Sequence, residues 1–477
     1  MTFPTTPKNV TCVAPSQPRR QFAKSARPNI LLIVMDATRA QNLSVYGYPR
    51  RTTPFLEMFA ESCMVYENAI ATSCWSLPCH ASLFTGLYPS VHGADDQHQF
   101  LDAEHPIIGE FLNVNHGYRT LAFCTKRDIS PVTGMHRGFQ EFNPEKRSLP
   151  FHGTLRKLDN GVAKMMGTRD GGMRRTNQQL ATLLPKLQAN GEPFFIFLST
   201  VESHIPYRPP KKYTHFLPKG VSSNQVAGVN MDRWKYMVGE TEMGEQDFEI
   251  LRALYDGGIT YTDARLAELF AGLQRLNLLD DMLIIITGDH GENLGEHGLM
   301  AHGYCLYDTV VHVPLIIHYP QSLGLTGRVS RQVQSVDVLP TILNLLGDES
   351  ATRHRSLQGH SLLSTERHEF TVAEQANPDM TIFKTRFPNK DVSRYDRYLR
   401  MIRTEAHKFI WASDGQHELY DLQADPHETR NLIQREPPLA LRLAQELKDW
   451  QLAHTAIRRD SAFAESRSVA VQQGAAV

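Results

Sequence analysis

Apolar positions fall into short continuous runs separated by longer stretches of helical period. Runs at 29–35, 119–124, 193–199, 282–287 and 313–317 are predominantly apolar and lead into polar or glycine-bearing turns, so they predict buried strands. Segments 52–62, 78–86, 174–189, 245–276 and 337–346 predict helices. This alternation predicts an α/β fold, with a large, mostly parallel central sheet flanked by helices. From about residue 380 the pattern changes. Tyr398–Arg403 and Lys408–Trp411 read as antiparallel strands, Asp414-Gly415 as a hairpin turn, and 437–456 as a last helix. The expected division is a disordered tail over 1–27, a catalytic domain over 28–375, a small C-terminal α+β subdomain over 376–460 and a second disordered tail over 461–477. The Pro-, Lys- and Tyr-rich stretch 205–245 reads as an irregular excursion over the mouth of a site.

In such a sheet, ligands bind beyond the carboxyl ends of the strands. Asp36 follows the first strand run, and Asp289 and His290 follow the run ending at Thr287. A buried carboxylate in such a place needs a partner or a metal, although Asp36 also suits a helix N-cap. Ser76 lies just before Pro78, a residue suited to the first turn of a helix. The free N–H groups and positive dipole end of that helix make a site for a tetrahedral oxyanion, although the segment also fits an ordinary capped helix. Two carboxylates, one imidazole and the Ser76 oxygen compose a divalent-metal site. Its ion lowers the hydroxyl pKa and neutralises the transferred group. Lys126, His204, His297 and His302 sit in loops of the same kind, and His80 lies one turn into the helix. Among 21 histidines some fall there by chance, so an ordinary core or surface role stays open for each. Their chemical uses would be protonating a leaving oxygen and binding the oxyanion.

Net charge is −1, from 50 basic and 51 acidic residues, which excludes a global field for nucleic acid or an anionic membrane. The six cysteines form no CxxC pair and read as reduced thiols. Arg19-Arg20 followed by the apolar run 30–35 looks like an export signal. That run is too short to span a bilayer and ends at Asp36, so it is read as the first strand. The expectation is a cytoplasmic protein with a small-molecule substrate and neither nucleic-acid nor membrane partner.

Taken together, these pieces resemble the sulfatase branch of the alkaline phosphatase superfamily, from about residue 28 to 435. Pro28–Asp36 resembles the family's opening strand and first metal ligand, and Ser76–Gly86 resembles its nucleophile signature. Asp263 and Gly288–Glu292 resemble the central helix and second ligand pair; Glu418–Leu422 with Asp425-Pro426 resembles the small subdomain. The resemblance implies an alkaline phosphatase-like fold and metal-dependent hydrolysis of a sulfate ester. Asp36, Asp289, His290 and Ser76 would hold one divalent ion (Mn, Zn, Ca or Mg), with Ser76 attacking. His204 is expected to protonate the leaving group, and His80, Lys126, His297 and His302 to position the anion. The family matures this position to formylglycine, usually reading an Arg where this chain has His80. Its second opening carboxylate is Ala37 here, and one sulfate-binding lysine is His302. These departures resemble members acting through an unmodified Ser or Thr. Phosphodiesterase, phosphonate monoester hydrolase or phosphotransferase activity is the alternative, and a non-catalytic anion-binding relative is the third reading.

Overall fold

The computed structural model describes residues 27–124, 126, 128–142, 170–348, 357–376 and 378–454. Apart from Arg27, the expected N-terminal tail, including the arginine pair, lies outside the described residues, as does the tail 461–477. The first strands are β1 (Ile30–Met35), β2 (Met64–Ile70), β3 (Arg119–Phe123), β4 (Glu141–Phe142) and β5 (Phe194–Thr200). They are followed by β6 (Leu283–Thr287), the short pair β7 (Asn293–Leu294) and β8 (Met300–Ala301), then β9 (His312–His318) and β10 (Gly327–Gln334). Eight of these form one sheet in the order β10-β2-β9-β6-β1-β5-β3-β4. β6, β1, β5, β3 and β4 are parallel neighbours; β9 runs antiparallel to both β6 and β2.

Alternate residues of β1 show why its run is apolar throughout. Ile30, Leu32 and Val34 join a core with α2 (Ser76–Thr85) and, later in the chain, helix Val338–Leu345. Leu31, Ile33 and Met35 join a second core with α1 (Pro54–Phe59) and the helices Met173–Asn190 (α3) and Glu245–Arg275 (α4). Helices cover both faces, so no position of the strand meets water. The expected helices all form, α2 starting two residues earlier than its pattern suggested. Asp263 on α4 is structural: its two oxygens accept from Phe55 N at 2.8 Å and Leu56 N at 2.9 Å, capping α1.

Strands β2 and β10 were not expected. β2 carries Glu67-Asn68 at its centre, and β10 is an edge strand whose sequence GRVSRQVQ shows several exposed positions. The second sheet comprises β11 (Thr371–Gln375), β12 (Leu399–Arg403), β13 (His407–Ala412) and β14 (Glu418–Asp421), all antiparallel. Leu443 and Leu447 of a final helix, 437–454, pack with Ile402, Phe409 and Leu419 of that sheet. Among the described residues no helix is long and apolar enough to cross a membrane.

Candidate active site

The four adjacent parallel strands β6, β1, β5 and β3 end on the same edge, and each is followed there by chemistry. β1 delivers Asp36, β6 delivers Asp289 and His290, β5 is followed by His204, and β3 by Lys126. Sequence-distant side chains therefore converge because parallel register places their strand ends side by side. Ala37, at φ 54°, turns its N–H to Asp289 Oδ1 at 3.0 Å, tying the ends of β1 and β6 together. Gly288 and Gly291 have no room for a side chain. A Cβ at the first would meet Thr38 O at 2.6 Å, and one at the second Thr309 O at 2.2 Å.

Ser76 opens α2, a helix buried along its whole length. Its Oγ lies 3.1 Å from His290 Nε2 and accepts from Lys126 Nζ at 2.5 Å. Lys126 Nζ is also 2.6 Å from Asp36 Oδ2. Burial alone would lower the lysine pKa, but the Asp36 and Asp289 charges outweigh it and raise it. For Asp289 burial works upward, yet His290, His80 and Lys126 hold its carboxyl well below the usual carboxylate range. His80 donates from Nδ1 to Ser76 O at 2.8 Å, with the same nitrogen 3.5 Å from Asp289 Oδ2. It is wholly buried against Phe84 and Phe197, and burial pushes its pKa down. His80 thus backs the nucleophile rather than lining the open space in front of it.

One ligand atom each from Asp36, Asp289 and His290 lies within 4.8 Å of the others. Asp36 Oδ1 and Asp289 Oδ2 are buried with no hydrogen-bond partner, and Asp36 Oδ2 has the Lys126 ammonium beside it. His290 Nδ1 donates to Gly291 O at 2.8 Å, which leaves the Nε2 lone pair facing the carboxylates. Orphaned anionic oxygens beside an oriented imidazole lone pair fit a divalent cation.

A cavity of about 700 Å³ opens over Ser76, Lys126, His204 and His302. His204 donates from Nδ1 to Ile205 O at 2.5 Å, and burial lowers its pKa. His302 Nδ1 is 2.7 Å from Glu292 Oε1. Burial, then His290 and His204, pushes the His302 imidazole well below its ordinary range, and burial raises the Glu292 carboxyl to about 8. His297 is not brought to this cavity: at φ 55° its ring stacks on Tyr307, with centroids 3.7 Å apart. The sequence reading also passed over Glu292 and the cavity wall formed by Arg233, Trp234 and Arg386. Arg233 donates to His302 O at 3.0 Å and lies 4.2 Å from the Trp234 ring centroid; Arg386 pairs with Asp232 at 2.5 Å. For Arg233 and Trp234 the one available signal was the placing of 205–245 over the site mouth, which named the segment without its residues; Glu292 and Arg386 lie outside it.

The sulfatase family model matches residues 28–348, and a model described as N-sulphoglucosamine sulphohydrolase, C-terminal, matches 295–453. The chain belongs to the sulfatase family. Arylsulfatase K of Homo sapiens is 26% identical over 467 residues, covering 90% of this chain and 83% of the relative. The multifunctional alkaline phosphatase superfamily protein PehA of Trinickia caryophylli is 27% identical over 506 residues, covering 90% and 96%. Among solved structures, phosphonate monoester hydrolase of Agrobacterium radiobacter superposes with TM-score 0.70 at 21% identity, covering 90% and 96%. BT4656, solved with its substrate D-glucosamine-2-N,6-O-disulfate, superposes at 0.68 with 18% identity, covering 90% and 98%. These structures share the alkaline phosphatase-like fold, and family membership makes the chain a hydrolase of ester bonds.

The expected cytoplasmic location is overturned. The arylsulfatase K relatives are enzymes of the lysosomal or endoplasmic-reticulum type, not cytoplasmic ones. Scattered cysteines do not discriminate here: the five in the described residues are all buried, which packing in the core explains without reference to a redox compartment.

Proposed function

We propose that this sulfatase-family enzyme cleaves a small-molecule sulfate ester, with Ser76 as nucleophile and one divalent ion held by Asp36, Asp289, His290 and the Ser76 oxygen. The observation carrying this reading is the position of Ser76 Oγ: 3.1 Å from His290 Nε2, 2.5 Å from Lys126 Nζ, and on the wall of the cavity. When bound, the ion supplies positive charge that lowers the pKa of the hydroxyl and offsets the charge of the transferred group. Mn²⁺, Zn²⁺, Ca²⁺ and Mg²⁺ all accept the oxygen-rich donor set, and elemental analysis of the purified protein names the one bound.

Ser76 Oγ gives its proton to solvent and attacks sulfur, while Lys126 holds that oxygen and balances its charge. The bond from sulfur to the alcohol oxygen breaks, its electron pair stays on that oxygen, and His204 protonates it. His302 and Lys126 hold the anion, and His80 fixes the Ser76 backbone. Water then hydrolyses the serine ester. A formylglycine at Ser76 would make the peptide containing it about 2 Da lighter; we expect the unmodified mass, since His80 replaces the arginine of the maturation signature. The same reading divides the chain into a catalytic domain, 28–375, and a C-terminal subdomain, 376–460. β11 links the two, bonded to β12 on one side and accepting at Val372 O from Gln334 Nε2 at 2.8 Å on the other.

A phosphodiesterase or phosphonate monoester hydrolase is the second reading, favoured by the hydroxyl nucleophile and the match to PehA. Turnover of para-nitrophenyl sulfate against para-nitrophenyl phosphate and para-nitrophenyl phenylphosphonate decides between them. Sulfate release with the highest kcat/KM supports the sulfatase reading, and a higher value on either phosphorus ester refutes it.

A further inference from the structure

Glu292 is wholly buried, at 0% exposure, two residues past His290. Its two oxygens reach two different loops. Oε1 contacts His302 Nδ1 at 2.7 Å. Oε2 accepts from Ile205 N at 3.3 Å, and the carbonyl of that same residue accepts from His204 Nδ1 at 2.5 Å. The His204 and His302 rings stand edge to face, with centroids 5.0 Å apart. Both line the cavity over Ser76. Each ring has its Nδ1 engaged on the protein side, so Nε2 is the nitrogen left to meet a substrate. The chain separation is large: Glu292 lies 87 residues from Ile205 and 10 from His302. One carboxyl therefore reaches both imidazoles, His302 directly and His204 through Ile205, whose own carbonyl holds the His204 ring.

We propose that Glu292 is a positioning residue, holding His302 by its ring and His204 through the Ile205 backbone, so that an imidazole Nε2 is aimed at the leaving oxygen. The inference rests on the ester-hydrolase reading above. In the step it serves, His204 acts as the imidazolium with Nδ1–H kept on Ile205 O: the bond between the central atom and the leaving oxygen breaks, the electron pair goes to that oxygen, the Nε2 proton passes to it, and the neutral ring regains a proton from solvent. A misaimed imidazole delivers that proton poorly. Esters of weakly acidic alcohols then suffer most, because their oxygen needs the proton, and esters of acidic phenols suffer least.

The test is a series of aryl sulfates, with matching aryl phosphates, whose phenols differ in pKa, turned over by the wild-type protein, Glu292→Gln and Glu292→Ala. Both variants should lose about 10–100-fold in kcat on the poorest leaving group, the usual size for losing the partner that orients a functional histidine. Their loss on the best leaving group should be small, so the plot of log kcat against phenol pKa steepens. A variant that merely folds less loses the same fraction on every ester, and its slope stays that of the wild type. Parallel lines, or no loss at all, overturn the positioning role while leaving the ester-hydrolase reading intact. A wild-type protein silent on the whole series refutes the functional reading and this inference with it.

Discussion

Lys408→Met removes the cation that holds the C-terminal sheet against the rest of the molecule. Lys408 is wholly buried, with Nζ 2.5 Å from Asp308 Oδ1, 2.6 Å from Glu428 Oε1 and 3.1 Å from Leu306 O. Arg403, on the neighbouring strand, stays on Asp308 at 3.0 Å, so Asp308 keeps a cation, while Glu428 keeps only the Asp308 N–H at 2.6 Å and loses its cation. Removing one member of a buried ion pair costs about 3–5 kcal/mol. Burial, only partly offset by Lys408, already raises the Glu428 carboxyl from its ordinary value to about 7. A carboxyl with a raised folded-state pKa gives stability that is fully present below its unfolded pKa and is lost as pH rises through the folded one. Losing Lys408 raises that pKa further, and a rise from about 7 to the assay pH of 8 adds at most about 1.4 kcal/mol of loss at pH 8 that is absent at pH 5. Urea unfolding followed by fluorescence at both pH values measures the difference. The variant should be destabilised at both, and more at pH 8. Equal losses, or a larger loss at pH 5, would refute the account of Glu428 as the stranded charge. The segment between β11 and β12 supplies Asp379, Ile382 and Arg386 to the cavity wall, so KM should rise more than kcat falls.

Ser76→Ala, in repurified protein, should lose at least about 10³-fold in kcat, the scale seen when a nucleophile is removed; turnover within tenfold of wild type contradicts the assignment. Asp289→Asn keeps an oxygen for the Ala37 and His290 N–H groups but removes the charge, so bound divalent metal measured after dialysis should fall well below that of the wild type. Gly291→Ala forces a Cβ to 2.2 Å from Thr309 O, and a melting temperature equal to wild type would show that the backbone there yields more easily than its packing implies. Phe197→Ala empties the space behind His80 and should cost about 3–5 kcal/mol in urea unfolding, with some loss of kcat through the shifted helix.

Much of the sheet was legible because its central strands are buried on both faces. The runs that became β1, β3, β5, β6 and β9 are dominated by apolar residues, with polar ones only near their ends, and the structure moves those ends by only a residue or two. β2, β10 and β11 escaped for the converse reason: polar residues such as Glu67, Arg328 and Glu374 sit inside them, where position in the sheet or a tertiary partner offsets the local pattern. Asp36, Ser76, Asp289 and His290 were readable because each stands at the end of an apolar run or the start of a helix. Glu292 was in plain view beside His290, yet nothing local couples it to His302 and Ile205. His297 and His302 looked equivalent in sequence; a left-handed turn at His297 sends its ring to Tyr307, while His302 faces the cavity.

Hydrophobic period and the residues capping each run, both local properties of the chain, determined by themselves that there would be a parallel sheet with acidic and nucleophilic groups at its carboxyl edge. Strand order, and with it the meeting of Asp36, Lys126, His204 and Asp289 around one serine, was decided only in three dimensions. Every strand could pair with several others, and the choice depends on helices packing over both faces at once.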